Sequence, residues 1–288
     1  MIQRQFILGS EWVFCKIYTG EKNADTILSK DILSINNILF QKKAIDKCFF
    51  IRYTDVSFHI RLRYHVTSDE YIVAIINLLC AKFNPYIQSR RIHKITYDTY
   101  IREIERYGAN TYEQTEAIFS IDSQSIINIL NIIYPLSEKY DLRWKTALLL
   151  IDDTLDAAAY TLELKKEFCE KRRDAYRHEF GITRIEAIRQ FNNKFRTNRI
   201  SIVHTMCREM PEAILQVLNE RKTHMIQIFK LINKELDIDI DDYLSSITHM
   251  TINRLFITNN RLCELVIYDY LYRFYDSIIA RLKYNQAK

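Results

Sequence analysis

The stretch of chain richest in potential chemistry is His59-Ile60-Arg61-Leu62-Arg63-Tyr64-His65. Read as a strand, alternate side chains take opposite faces. Ile60, Leu62 and Tyr64 then go one way, and His59, Arg61, Arg63 and His65 go the other. Arg61 and Arg63 would stand about 7 Å apart, two residues of strand rise. Four cationic or potentially cationic groups in a row repel one another. A sheet tolerates them if that face is wet, or if an anion or carboxylates compensate. The plain alternative is the exposed polar face that half-buried strands carry. Arg52 lies on the neighbouring candidate strand and Asp55 in the turn between the two. Three arginines meeting at one pocket would grip a carboxylate or a phosphate, because each guanidinium offers a planar fork of donors.

Two more clusters carry chemistry. Tyr100-Ile101-Arg102-Glu103-Ile104-Glu105-Arg106-Tyr107-Gly108 mixes basic and acidic residues and ends at one of only four glycines. Gly108 is expected to take a backbone angle that other residues avoid. The charged residues before it also suit a surface ion-pair ladder of little energetic value. In Ser246–Leu255, helical spacing puts His249 and Asn253 on one face beside apolar Ile247 and Leu255. A histidine there is either a proton-transfer group with a tuned pKa or a hydrogen-bonded structural residue. Asp237, Asp239 and Asp241 resemble the start of a calcium loop. The sixth and twelfth places hold Asp242 and Thr248 instead of Gly and Glu, so calcium is rejected and a helix-capping role expected. No GxSxG elbow and no metal-ligand spacing occurs, and no metal or other cofactor is expected.

The elements that must position these clusters read as two parts. Through residue 110 the pattern is mixed. Glu11–Thr19, Cys48–Thr54 and Phe58–Val66 read as strands, Ala24–Lys43 and Asp69–Phe83 as helices, and Arg90–Tyr107 as a strand running into a charged tail. From 111 onward the pattern is helical: Tyr112–Phe119, Ser123–Ile133, Ser137–Leu162, Glu163–Phe180, Arg184–Thr197, Pro211–Leu236, Asp242–Phe256 and Arg261–Leu282. The expected fold is α+β, a small antiparallel sheet in the N-terminal third packed on a larger, mostly helical body, with residues 1–288 forming one domain.

Composition narrows the function. With 4 glycines and 3 prolines in 288 residues, a Walker A loop, a GxGxxG turn and a many-stranded barrel are all disfavoured. None of the 6 cysteines forms a CxxC pair; they read as reduced, mostly buried thiols in a cytoplasmic protein. No run of apolar residues is long enough to span a membrane, and the N-terminus lacks a long apolar signal core. The formal charge of +5 concentrates between Lys165 and Arg199, where eleven Lys or Arg face five Asp or Glu. That ridge reads either as a solvated helix face or as a surface for RNA or an acidic partner.

Taken in order, these segments resemble one family: the C-terminal glutamate-elimination domain of lanthipeptide dehydratases, also called the thiopeptide-type bacteriocin biosynthesis domain. The resemblance begins at Trp12–Tyr18 and runs through Phe49–Asp55, His59–Arg63, Tyr97–Gly108 and Glu116–Ser123 to His249–Leu255. It implies that a separate glutamylating protein, using glutamyl-tRNA, esterifies Ser or Thr of a ribosomal precursor peptide. This chain would then eliminate glutamate and leave dehydroalanine or dehydrobutyrine, as the stand-alone half of a split dehydratase with no direct tRNA contact. By the resemblance, Arg61 and Arg63 match the paired arginines of the HxRxR strand, Arg106 the arginine of the ERYG segment, and His249 the histidine of the HMxxNRL helix. These four are the expected catalytic residues. Arg52, Glu103, Tyr107 and Asn253 are the expected substrate-binding residues. Ala109-Asn110 stand where the family usually has another glycine. Two rival roles remain within the resemblance: a thiopeptide pyridine synthase that joins two dehydroalanines, and a non-catalytic module that holds a leader peptide or partner protein. A homodimer is left open.

Overall fold

A computed structural model describes residues 2–182 and 185–286 of the chain. Among the described residues the strands are β1 (Gln5–Phe6), β2 (Trp12–Thr19), β3 (Ile45–Thr54), β4 (Phe58–Val66), β5 (Ile92–Tyr97) and β6 (Tyr100–Ile101). Between them run α1 (Glu21–Thr26), a π-helical segment (Ile27–Ile32) and α2 (Leu33–Gln41), joined end to end, and α3 (Glu70–Gln88). Then come α4 (Ile104–Tyr107), α5 (Tyr112–Ile133), α6 (Lys139–Ala157), α7 (Leu162–Glu179), α8 (Ile185–Met206), α9 (Glu212–Glu235), α10 (Ile240–Leu255) and α11 (Asn260–Gln286). The fold is α+β, with its sheets in the N-terminal part and a helical body after them. Among the described residues no helix is long and apolar enough to cross a membrane.

The main sheet is antiparallel in the order β3-β4-β2-β5, and β1 pairs with β6 in a separate ribbon. Pairing of Val13 with Tyr64, Cys15 with Leu62 and Ile17 with Ile60 puts a fully apolar row on one face, packed under α1, α2 and α3. The opposite face carries Phe14, Lys16 and Tyr18 beside Arg63, Arg61 and His59. The period of two thus sorts the candidate cations onto one face, as the strand pattern requires.

The edge strand β3 explains one difference from expectation. The break foreseen between Phe119 and Ser123 is absent, and α5 is continuous. Its polar residues face inward and satisfy the sheet edge. The Cys48 N–H donates to Ser120 Oγ at 3.0 Å and the Phe50 N–H to Ser123 Oγ at 3.2 Å. From α10, Arg254 Nε donates to the Phe50 carbonyl and Asn253 Nδ2 to the Arg52 carbonyl, each at 2.9 Å. Buried edge groups need partners, and here helix side chains supply them.

In its α7 part the basic segment from Lys165 is not a free ridge, whereas Arg189, Lys194, Arg196 and Arg199 of α8 are exposed and have no carboxylate partner among the described residues. Lys165 pairs with Asp152 and Asp156 of α6, Lys171 with Asp241 of α10, and Lys166 and Arg177 with Asp276 and Asp269 of α11. The cations of α7 dock it onto its neighbours. Arg184, the expected start of the next helix, lies outside the described residues. The helix at 240–255 is capped by Asp239 of the expected run, whose side chain accepts from the Asp242 N–H at 3.1 Å.

Candidate active site

The polar face of β4 closes against the loop that leaves β5. Lys16, Arg61, Arg63, Asp98 and Glu103 line a cleft of about 370 Å³, with Arg4 and Glu105 at its rim. Most of its charges are already matched. Lys16 Nζ sits 2.5 Å from Asp98, and Arg4 reaches Glu105 at 2.6 Å. Arg102 makes a two-pronged contact with buried Glu116 at 2.6 and 2.7 Å, and the Tyr100 hydroxyl donates to the same carboxylate at 2.8 Å. That buried pair pins the loop before Glu103.

Arg61 and Arg63 are the exceptions. Neither has a carboxylate partner among the described residues. The Arg61 guanidinium stacks 3.4 Å above the Tyr53 ring, and its Nε donates to His59 Nε2 at 3.2 Å. His59 is fully buried, with Nδ1 3.0 Å from the Ser57 carbonyl. A carbonyl only accepts, so the proton sits on Nδ1 and Nε2 is left as the acceptor for Arg61. Burial lowers the His59 pKa, against the Ser57 carbonyl and the Asp55 carboxylate, which raise it.

Arg63 is 9% exposed and lies between the rings of Phe14, Phe49 and Tyr100, at 4.3, 5.2 and 5.1 Å. Its Nε has no hydrogen-bond partner. Desolvation pushes its pKa down from the usual arginine value. Aromatic faces hold a cation without neutralising it. An unpaired guanidinium in such a place strongly favours an anion within reach.

A narrow inner cavity of about 30 Å³ adjoins the cleft. It shares Arg63 and Glu103 and adds Tyr107, Met250 and Arg254. Tyr107 is buried, packed edge-on against Tyr112, Phe119 and Tyr243. Arg106 joins from the side: it lies 3.5 Å from Glu103 and donates through Nε to Ser246 Oγ at 3.0 Å. Gly108 ends this segment at φ 80°, in the region where side chains strain the backbone, as its sequence position suggests. A Cβ there would meet Asp237 Oδ1 at 2.3 Å, and the Ala109 N–H donates to Asp237 Oδ2 at 3.3 Å, so Asp237 of the expected capping run seats this loop instead of capping the helix.

On α10, Ser246, His249, Met250 and Asn253 share one stripe. His249 lines neither cavity. Its Nδ1 lies 2.8 Å from Glu264 of α11, a fully buried carboxylate, which leaves Nε2 free for proton transfer.

The structure therefore brings Arg61, Arg63, Glu103 and Tyr107 together, attaches Arg106 through Glu103, and sets His249 one residue from Met250. It places Arg52 and Asn253 elsewhere. Arg52 pairs with Ile60 in register, which turns it to the face opposite Arg61. There it is buried, bonded to Asp25 at 2.6 Å and to the Arg254 carbonyl at 2.9 Å. Arg143 holds the other oxygen of Asp25 at 2.5 Å and the Leu255 carbonyl at 2.7 Å. Two guanidinium groups thus satisfy the carbonyls at the C-terminal end of α10. The Asn253 amide is spent on the Arg52 backbone. Lys16 was legible by its parity with Phe14 and Tyr18; Glu264, one of three acids along α11 with Asp269 and Asp276, gave no such signal.

Comparison with known proteins places this chain in a family. Residues 12–275 match the family described as lantibiotic biosynthesis dehydratase C-term, and the chain belongs to that family. The nisin biosynthesis protein NisB of Lactococcus lactis subsp. lactis is 27% identical over 286 residues, covering 96% of this chain and 24% of NisB. The chain spans about a quarter of the length of the curated relatives it matches. The tRNA-dependent lantibiotic dehydratase MibB from Microbispora sp. 107891 shares the fold with a TM-score of 0.71 at 19% identity, covering 98% of this chain and 29% of MibB. The pyridine synthase TbtD from thiomuracin biosynthesis matches with a TM-score of 0.65 at 11% identity, covering 93% of this chain and 99% of TbtD.

Proposed function

We propose that this chain removes glutamate from glutamylated Ser or Thr residues of a ribosomal precursor peptide, leaving dehydroalanine or dehydrobutyrine. The observation that carries this reading is the pair of uncompensated guanidinium groups, Arg61 and Arg63, in a cleft whose other cations are matched. A glutamyl ester linked through its α-carboxyl keeps a free side-chain carboxylate. As the Cβ–O bond breaks, the α-carboxyl leaves as a second carboxylate. Two unpaired guanidinium groups answer two anionic groups.

In this β-elimination the Cα proton goes to a base, the C–H electron pair becomes the Cα–Cβ double bond, and glutamate departs with the Cβ–O pair. The Cα–H is a weak acid, so enolate-like charge on the adjacent carbonyl oxygen must be stabilised. A preorganised cation in a desolvated cleft does this without reorganisation cost. Arg63, buried among rings, is assigned that task. Arg61, nearer the open side, takes the glutamyl side chain. Glu103 holds Arg106 and supplies a counter-charge for the glutamyl ammonium. His249, oriented by Glu264, serves as the acid/base group through Nε2. A separate glutamylating protein is the partner this reading requires.

A second reading, ring formation between two dehydroalanines, has one observation in its favour: the match extends over 99% of the pyridine synthase chain. One experiment separates the two. Purified protein is mixed with a glutamylated peptide and followed by mass spectrometry and a free-glutamate assay. Elimination releases glutamate stoichiometrically with the dehydrated peptide. Ring formation instead consumes an already dehydrated peptide without releasing glutamate. A correctly glutamylated cognate peptide returned intact would sink the first reading.

A further inference from the structure

The two edges of the main sheet are finished differently. At β3, outward-turned backbone groups of Cys48, Phe50 and Arg52 are all taken by side chains of α5 and α10. At β5 the Asp98 N–H donates to the Phe14 carbonyl, which sets the phase of the ladder. Even-numbered residues turn their backbone toward β2, so Ile95 and Tyr97 turn their N–H and C=O groups outward. No described residue bonds to those outward groups.

Beside this open edge lies an apolar groove of about 310 Å³, walled by Ile76, Cys80, Phe83 and Ile87 of α3 and by Ile95 and Tyr97 of β5. From Ile76 to Ile87 the helix wall is about 16 Å long, room for about five residues of extended chain. At one end stand Arg90, Arg91, His93 and Lys94, all exposed. Arg91 and Lys94 rest only on the rings of Tyr86 and Tyr18, at 4.3 and 4.4 Å, and no carboxylate pairs with Arg90, Arg91 or Lys94 among the described residues.

We infer that the β5 edge binds an extended peptide segment of acidic and apolar residues by strand addition. The backbone of the segment pairs with Ile95 and Tyr97. Its side chains alternate: one set fills the groove against α3, and the other lies on the Lys94 side, where carboxylates meet the basic cluster. Three strand spacings, about 14 Å, separate such a segment from the Arg61 strand on the cleft face. The inference goes beyond the proposed reaction and is tested without any turnover.

Cys80 is exposed in the groove, and Cys207 is exposed away from it, which gives a reporter and an internal control. The probe is a fluorescein-labelled synthetic peptide of about eight residues, alternating isoleucine and glutamate. Anisotropy should show saturable binding, and bound peptide should slow iodoacetamide alkylation of Cys80 about tenfold while leaving Cys207 unchanged. Ile87→Asp, at a side chain already 39% exposed, should weaken binding about tenfold with an unaltered melting curve. A lysine-for-glutamate peptide and one with a central proline should each bind at least about tenfold more weakly. Absence of saturable binding, an unchanged Cys80 rate, or equal binding of the lysine peptide overturns the inference. So does a chain that sediments as a dimer with Cys80 already protected, which would assign the edge to a second copy.

Discussion

Arginines meet the sheet in two ways in this protein, and the contrast separates structure from chemistry. On the helix side, Arg52 and Arg143 share Asp25, and Arg221 and Arg254 share Asp122, whose oxygens lie 2.9 and 2.8 Å from the two donors. Burial alone would raise the Asp25 pKa, but the two guanidinium groups more than offset it and hold the carboxyl below its usual range. On the cleft side, Arg61 and Arg63 have rings and an imidazole for neighbours and no carboxylate. Residue type is the same, and Arg63 is nearly as buried as the paired arginines. What differs is whether the protein supplies the counter-charge itself or leaves that to a ligand.

The largest effect should come from breaking a shared carboxylate. Asp122→Asn leaves two guanidinium groups, each no more than 1% exposed, without their anion. Removing one partner of a buried pair costs about 3–5 kcal/mol. Urea unfolding should show a loss of that order, or no folded protein at all. A midpoint within error of wild type would erase the distinction between the two kinds of arginine.

The mirror experiment is Arg63→Ala or Arg61→Ala. Neither change strands a carboxylate, so the variants should fold with near wild-type midpoints. If the proposed elimination is right, glutamate release should fall about 10²–10³-fold, the usual cost of removing one group that stabilises developing charge. Normal turnover in both variants, with stability intact, would reduce the cleft to an anion-tolerant surface.

The sequence made the polar face of β4 legible because strand period is strict: His59, Arg61 and Arg63 had to share a face. Arg52 misled because proximity in a hairpin says nothing of parity. Its register partner is Ile60, so it belongs to the apolar row and needs Asp25. Ser120, Asp122 and Ser123 misled in the opposite sense. Polar residues in mid-helix read as a break, yet here they satisfy a sheet edge and two arginines. The helical body was legible as periodicity. The pairing of α7 with its neighbours was not, because a run of Lys and Arg looks the same whether its carboxylates lie across an interface or do not exist.

A smaller effect is expected at the loop that carries Arg106. Gly108→Ala must hold φ near 80° and push against Asp237, whose Oδ1 the new Cβ would meet at 2.3 Å. Strain of this kind costs about 1–3 kcal/mol. Asp237→Ala should relieve the collision but not the backbone angle. The double variant should therefore recover part of the lost midpoint, and full recovery would mean that φ carries no cost there.

The finest test concerns the one hydrogen bond that Arg61 does have. Its acceptor is the Nε2 of His59, which exists only while the imidazole is neutral. Burial lowers the His59 pKa below the ordinary 6.5. A histidine whose folded pKa lies below its unfolded value adds stability that is fully present above the unfolded pKa and is lost as pH falls through the folded one. Wild-type protein should thus lose stability from His59 as pH drops below about 6.5, with Arg61 released from its seat as the ring takes a proton. His59→Gln keeps an acceptor and removes the titration. Urea midpoints of the two proteins, compared at pH 8, 7, 6 and about 5, should diverge only on the acid side. Parallel curves would show that the ring does not titrate there. Arg61 would then be held as firmly as the carboxylate-bound arginines across the sheet, and the line between the two groups would have to be drawn at Arg63 alone.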